Sequence, residues 1–226
     1  MSTLLLRLAA PLQSWGLDSK FERRVTAREP TKSGVAGLLA AALGRGRGES
    51  IDDLAGLRFG VRLDQPGQLL HDYHIARSFK VYETHRYYLM DACFLAGLEG
   101  DDDFLRTLET AVRSPVFPLY LGRRSCPPEG RVSLGLRDKP LLDALREEPW
   151  QASLWYQKRN GKTRLAIVSD SSISDTGIRR RDFPVSFDQR HRKHAYRYAD
   201  DDPKAVMAGM EITVETEHNA FAGIGV

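Results

Sequence analysis

Two segments of helical period sit among segments of strand period, and this order constrains the fold more than any other feature of the chain. The first helical stripe is Val35, Leu38, Leu39, Ala42 and Leu43, spaced i, i+3, i+4, i+7 and i+8. The second is Phe104, Leu105, Leu108, Ala111 and Val112. The apolar run Thr3–Leu8 precedes the first stripe, and the alternating run Arg58–Asp64 follows it as a half-buried strand. Leu89–Leu98 puts Met90, Ala92, Phe94, Ala96 and Leu98 on one side and precedes the second stripe; Val116–Leu121 follows it as a further strand. The order is β-α-β, an excursion, then β-α-β. That is the split βαβ, ferredoxin-like plan of an α+β domain. The plan hosts many functions and argues for none. It is RRM-like, yet the basic-glycine-aromatic signature that lets an RNA-recognition domain stack bases on its third strand is missing.

Punctuation supports these elements. Thr31 or Ser33 can cap the first helix and Gly44 can end it. Asp101, Asp102 and Asp103 suit the start of the second, and Ser114-Pro115 stops it. Ala10–Gly16 reads as a break after the first strand, with Trp15 a partly buried anchor. Residues 1–128 then form the ferredoxin-like domain, and residues 129–226 a smaller, mainly β portion. In that portion Ser153–Lys158 and Thr163–Val168 flank Asn160-Gly161, which predicts a hairpin. Ser169–Gly177 reads as a loop, Met210–Val214 as a last strand and Ala220–Val226 as an unordered tail.

Composition sets bounds on function. A chain of 226 residues can bury a core without disulfides or metals. A net charge of +3 permits a nucleic-acid partner without demanding one. Cys93 and Cys126 lie far apart, form no metal motif and fit a reducing compartment. No apolar run approaches a membrane span, and Arg7 interrupts an N-terminus too short for a signal peptide. The expectation is a cytoplasmic protein with no membrane partner. His191 and His194 lack the carboxylate or cysteine that would complete a metal site, and no phosphate-binding or dinucleotide fingerprint appears, so no metal and no cofactor are expected.

The candidate binding residues are basic and aromatic. Leu119–Pro128 reads as a strand feeding a stiff loop, Gly122-Arg123-Arg124-Ser125, stopped by Pro127-Pro128. Glycine lets a backbone approach a ligand, and arginine offers forked donors to phosphate oxygens; a surface turn that happens to carry two arginines is the plain alternative. Lys20–Lys32 is irregular and basic, with Arg23, Arg24 and Arg28. It leads to Lys32, Ser33 and Gly34 at a helix start, where free N–H groups suit a phosphate; an ordinary capped helix is the plain alternative. Residues 69–88 form a protruding arm that carries Arg77, Lys80 and Arg86 among Phe79, Tyr82 and Tyr87. Such a mixture suits single-stranded nucleic acid, because cations track phosphates and aromatic rings stack on bases. Arg179-Arg180-Arg181 and Arg190–His194 bracket Phe183–Phe187: a run of that charge is usually a solvated face, and a second basic contact with RNA stays open. The one catalytic set worth naming is His71, Tyr73, His74, Lys80 and His85, with His74, Tyr73 and Lys80 foremost. A metal-independent ribonuclease needs a base, an acid and a cation, and those residue types are present; their presence is not an arrangement, and the neutral reading is RNA contact without chemistry.

Several stretches together resemble one family. They are Leu8–Gly16, Pro30–Leu39, Asp72-Tyr73-His74, Glu83–Phe94 and Tyr120–Pro127. The chain is similar to the CasD family, the family-five CRISPR-associated subunits (RAMP superfamily) of type I-E Cascade complexes. The match is good over residues 2–128 and looser beyond. His85 departs from the aromatic residue, such as tryptophan, expected there. The resemblance implies a ferredoxin-like body, a thumb-like β-hairpin arm and a reduced C-terminal portion. It implies binding of the 5′ handle of the CRISPR RNA, with the repeating backbone subunit and the large subunit that reads the protospacer-adjacent motif as partners, and target DNA within the assembled complex. In type I-E systems another subunit cuts the precursor RNA, which makes this chain non-catalytic. In the type I-C branch the corresponding subunit is itself the ribonuclease, which keeps the enzyme reading as the alternative.

Overall fold

The computed structural model describes residues 2–16, 22–77, 81–171, 177–202, 204 and 206–209. In chain order the elements are β1 (Ser2–Gln13), β2 (Arg23–Arg24), α1 (Lys32–Ala42), α2 (Asp52–Gly56), β3 (Arg58–Gln65), β4 (Gln68–Arg77), β5 (Val81–Gly100), α3 (Asp102–Arg113), β6 (Ser133–Arg137), α4 (Leu141–Glu147), α5 (Leu154–Asn160), β7 (Thr163–Leu165), β8 (Ile167–Asp170), β9 (Ile178–Ser186), β10 (Lys193–Asp201) and β11 (Val206–Ala208). The result is a mixed α/β chain dominated by one large sheet.

That sheet runs β6-β1-β5-β3-β8-β10-β9, with β2 and β4 pairing β5 off this path. All neighbours along the path are antiparallel; β2 alone lies parallel to β5. Strand alternation divides the core. Leu4, Leu6 and Leu8 of β1 and Phe94, Ala96 and Leu98 of β5 join the cluster under α1 and α3, while Leu5 and Leu95 join Leu141, Ala144 and Leu145 of α4 on the other face. Both long helices start as their caps predict. The Thr31 hydroxyl accepts from the Gly34 N–H, and the Asp101 carboxylate accepts from the Phe104 N–H.

The sheet corrects several expectations. β1 does not break at Ala10 but continues to Gln13 through Pro11. The ladder to β5 skips Pro11, and β6 pairs β1 only over Thr3–Leu6, so the missing proline donor costs little. Residues 116–121 are not a strand: Pro115 and Pro118 remove donors, and the segment is held by irregular bonds from Val116 N–H to Ala42 O and Phe117 N–H to Ala41 O. The strand beside β1 is β6 instead. β3 is buried on both faces rather than half-buried, because α4 and the chain after it cover its second side.

Strands from residues beyond 128 pair with strands of the first 128. They extend the same sheet at both edges, β6 on β1 and β8 on β3. The predicted Asn160-Gly161 hairpin is a helix end: α5 stops there and Gly161 takes φ 54°. Asn-Gly suits a positive φ in either setting, and the preceding helix decides which. The expected strand Met210–Val214 and the tail Ala220–Val226 lie outside the described residues.

Two buried polar groups tie the layers. The Arg62 guanidinium, fully buried, grips Asp64 at 2.7 and 2.8 Å and donates to the carbonyls of Leu145, Glu148 and Pro149. Below α1, Arg197 bridges Asp182 and Asp170, and the Lys32 ammonium meets Asp170 at 2.9 Å. Two cations and two carboxylates balance, which is the condition for tolerable burial.

Candidate nucleic-acid interface

Four segments meet where the β4–β5 hairpin leaves the body. β2 lies along β5 with Arg23 beside His85 and Arg24 beside Arg86. The end of β1 is held by the Ser14 hydroxyl, which donates to the Tyr87 carbonyl at 3.1 Å. The Ser14 N–H donates to the Leu121 carbonyl at 3.1 Å and so pins the loop 121–126. That loop closes on itself, Leu121 N–H to Cys126 O at 2.8 Å and Cys126 N–H to Arg123 O at 2.9 Å. Gly122 sits in it at φ 85°, and a Cβ there would lie 1.6 Å from the Ser14 carbonyl oxygen. The backbone that Gly122 approaches is therefore the chain's own.

The hairpin register sorts the arm by face. His71 faces Tyr87 and Tyr73 faces His85 across the strands, on one face. Their rings touch: His71 and Tyr87 centroids lie 4.7 Å apart, Tyr73 and His85 5.2 Å, and His71 Nε2 meets His85 Nδ1 at 2.9 Å. The Arg23 guanidinium caps this row 5.5 Å from the Tyr87 ring and reaches its hydroxyl at 3.2 Å. The opposite face carries Asp72, His74, Arg86 and Tyr88. There the Arg123 guanidinium stacks 4.6 Å from the Tyr88 ring and donates to the Arg24 carbonyl at 2.9 Å. Arginines thus clasp both faces of the arm's base. Arg86 Nε and Arg123 Nη1 are both buried without a hydrogen-bond partner. A buried charged donor left unpaired is costly, so the arm's base carries polar groups that the chain itself does not satisfy.

The other expected contact residues are placed as follows. Arg24, Arg28, Arg77, Arg124 and Ser125 are exposed. Lys80, like Phe79, lies outside the described residues. The start of α1 is not an open phosphate site. Lys32 and Ser33 are buried; the Lys32 N–H donates to the Asp182 carboxylate at 2.9 Å, and its ammonium is engaged by Asp170. The anion at this helix start is the protein's own. Gly34 serves packing, since a Cβ there would come within 2.8 Å of the Trp15 ring. Trp15 is fully buried, beyond the partial burial expected, and donates Nε1–H to the Gln13 side chain at 3.1 Å.

Of the ribonuclease set, the structure brings His71, Tyr73 and His85 together on one face of the arm and places His74 apart from them; Lys80 lies outside the described residues. Strand alternation sends Tyr73 and His74 to opposite faces of β4. The exposed His74 ring pairs with Asp72 at 2.6 Å, while Tyr73 packs on His85. Among the described residues no group of three or more His, Cys, Asp or Glu could hold a metal ion. Sequence reasoning missed Ser14, Tyr88 and the His71–His85 contact. The adjacent tyrosines 87 and 88 were the available signal, because neighbours on a strand face opposite ways and each can carry its own arginine.

The family model for CRISPR-associated protein (Cas_Cas5) matches residues 3–200, and the chain belongs to that family. Within it, the similarity runs to CasD. The CRISPR system Cascade subunit CasD of Escherichia coli (strain K12) is 34% identical over 197 residues, covering 76% of this chain and 83% of that one. A solved structure described as a CRISPR RNA-guided surveillance complex contains a chain that superposes with a TM-score of 0.76 at 30% identity, covering 91% of each chain. A crystal structure of a Cas protein aligns with a TM-score of 0.72 at 41% identity, covering 90% of this chain and 94% of that one.

Proposed function

We propose that this chain is a non-catalytic, RNA-binding subunit of a Cascade surveillance complex. It holds the 5′ handle of the CRISPR RNA at the base of the β4–β5 arm and caps the filament of repeating backbone subunits. The large subunit that reads the protospacer-adjacent motif is its other neighbour, target DNA reaches it in the assembled complex, and the setting is the cytoplasm. The body's β6-β1-β5-β3 order, with α1 and α3 on one face, fits the split βαβ plan of the resemblance. The observation that carries the reading is the pair of arginines at the base of the arm, Arg86 and Arg123, each with one guanidinium nitrogen, Nε and Nη1, that has no hydrogen-bond partner among the described residues. The opposite orientation of Tyr73 and His74 supports binding without cleavage.

The test is binding of labelled handle RNA to wild type and to the Arg86→Ala/Arg123→Ala double variant across a salt series. Loss of two phosphate contacts should flatten the slope of log affinity against log salt by about 1.4, at ~0.7 per contact on a single strand. An unchanged slope sinks the placement. Specific cleavage of repeat RNA in the presence of chelator, abolished in His74→Ala, would establish the nuclease alternative instead.

A further inference from the structure

The basic run on β9 and β10 is separated by the fold into two populations. Cations turned inward are matched. Arg180 is engaged by Glu29, and Arg197 by Asp182 and Asp170. Four cations turned outward have no such match among the described residues. Arg179, Arg190, Arg192 and Lys193 are exposed, and none of them forms an ion pair among the described residues. The nearby Asp188 carboxylate accepts from the backbone N–H groups of Arg190 and His191 at 2.7 and 3.1 Å, which spends it on the turn and on a 3.8 Å contact with the His191 ring. The Arg179 guanidinium lies 3.8 Å from the centre of the exposed Tyr196 ring, so a cation and a flat face are presented together.

This surface connects to the base of the arm. The segment 23–29 begins paired to β5 through Arg23 and Arg24, carries exposed Arg28, and ends at Glu29 on β9's Arg180. The segment that carries exposed Arg23, Arg24 and Arg28 therefore links the base of the arm to the edge strand of the sheet. We infer that the outer face of the β9–β10 hairpin is a second, sequence-independent contact for single-stranded RNA, continuing the strand held at the arm. The inference rests on the proposed RNA-binding role. A single strand is the occupant that fits, because the arginine–tyrosine stack offers a planar platform to an unpaired base, which a duplex keeps inside its own stack.

The experiment compares the whole protein with a quadruple variant, Arg179→Ala/Arg190→Ala/Arg192→Ala/Lys193→Ala. The probes are a labelled single-stranded oligouridine, a handle-bearing RNA and a duplex DNA, each titrated across a salt series. All four side chains are exposed, so the variant should melt with the wild type; a circular-dichroism melt verifies this. The expected result is weaker binding of both RNAs, with the salt slope reduced by about 2–3 at ~0.7 per phosphate contact. The Arg179→Lys variant should keep the slope while weakening binding through loss of the stack. An unchanged RNA slope in the quadruple variant overturns the inference, as does a loss confined to duplex DNA. The arm-base variant Arg86→Ala/Arg123→Ala is run in parallel. Its failure to alter RNA binding counts against the arm's role, and the hairpin result is read separately from it.

Discussion

Replacing Gly122 by alanine tests how the arm's base is built. The residue sits at φ 85°, where an L-residue costs about 1 kcal/mol. A Cβ would lie 1.6 Å from the Ser14 carbonyl oxygen, a separation no non-bonded pair of atoms can hold. The loop must retreat, and the bond from Ser14 N–H to Leu121 O is the first casualty. Ser14 and Leu121 are both buried, so the groups left unpaired cost about 1–3 kcal/mol more. The sum is about 2–4 kcal/mol. At ~2–4 °C per kcal/mol for a chain of this size, Gly122→Ala should melt about 5–15 °C below wild type. Its affinity for handle RNA should also fall, because Arg123 moves with the loop. Gly130→Ala is the control: φ is 68°, but the nearest atom to the new Cβ is 3.9 Å away at the end of Arg7. It should cost only the backbone share, about 1 kcal/mol. If the two variants melt together, the close approach of loop and Ser14 is not what requires glycine, and the reasoning fails.

Two further outcomes follow from buried groups. Arg197→Met leaves Asp170 and Asp182 facing Lys32 alone; removing one member of a buried charge group costs about 3–5 kcal/mol, and a loss under ~1 kcal/mol by denaturant titration would refute the pairing. Burial pushes the Cys93 thiol up to about 12, so it should resist alkylation at neutral pH until the protein unfolds, which mass spectrometry of labelled peptides would reveal.

Where a segment buries one face, its period announced it. α1 and α3 were readable together with their caps, and Leu89–Leu98 was readable as a strand. The failures have a common source in partners distant along the chain. Lys32 looked like a phosphate ligand because its carboxylates, Asp170 and Asp182, come far later in sequence. β3 looked half-buried because nothing in Arg58–Asp64 announces that α4 will cover its second face. In Val116–Leu121 only Leu119 and Leu121 pack on the core while Val116 and Phe117 are exposed, and such an irregular segment has the same composition as a strand. Within the site, the arm's cations and rings were legible as residue types. Which of them share a face was not, because that depends on where β4 registers against β5.

That register has a mechanical meaning. The outer half of β5 is arm and the inner half is the middle of the sheet, joined in one backbone with no loop between. The stretch Val81–Tyr88 reaches about 26 Å at ~3.3 Å per residue. The local irregularity at the junction is Asp91, at φ 54°. Further in, β5 is clamped on both sides by β1 and β3. The arm is a cantilever built into the body, and a load on its tip is borne by the ladders that hold the core together. A partner that grips the arm therefore fixes the orientation of the whole sheet.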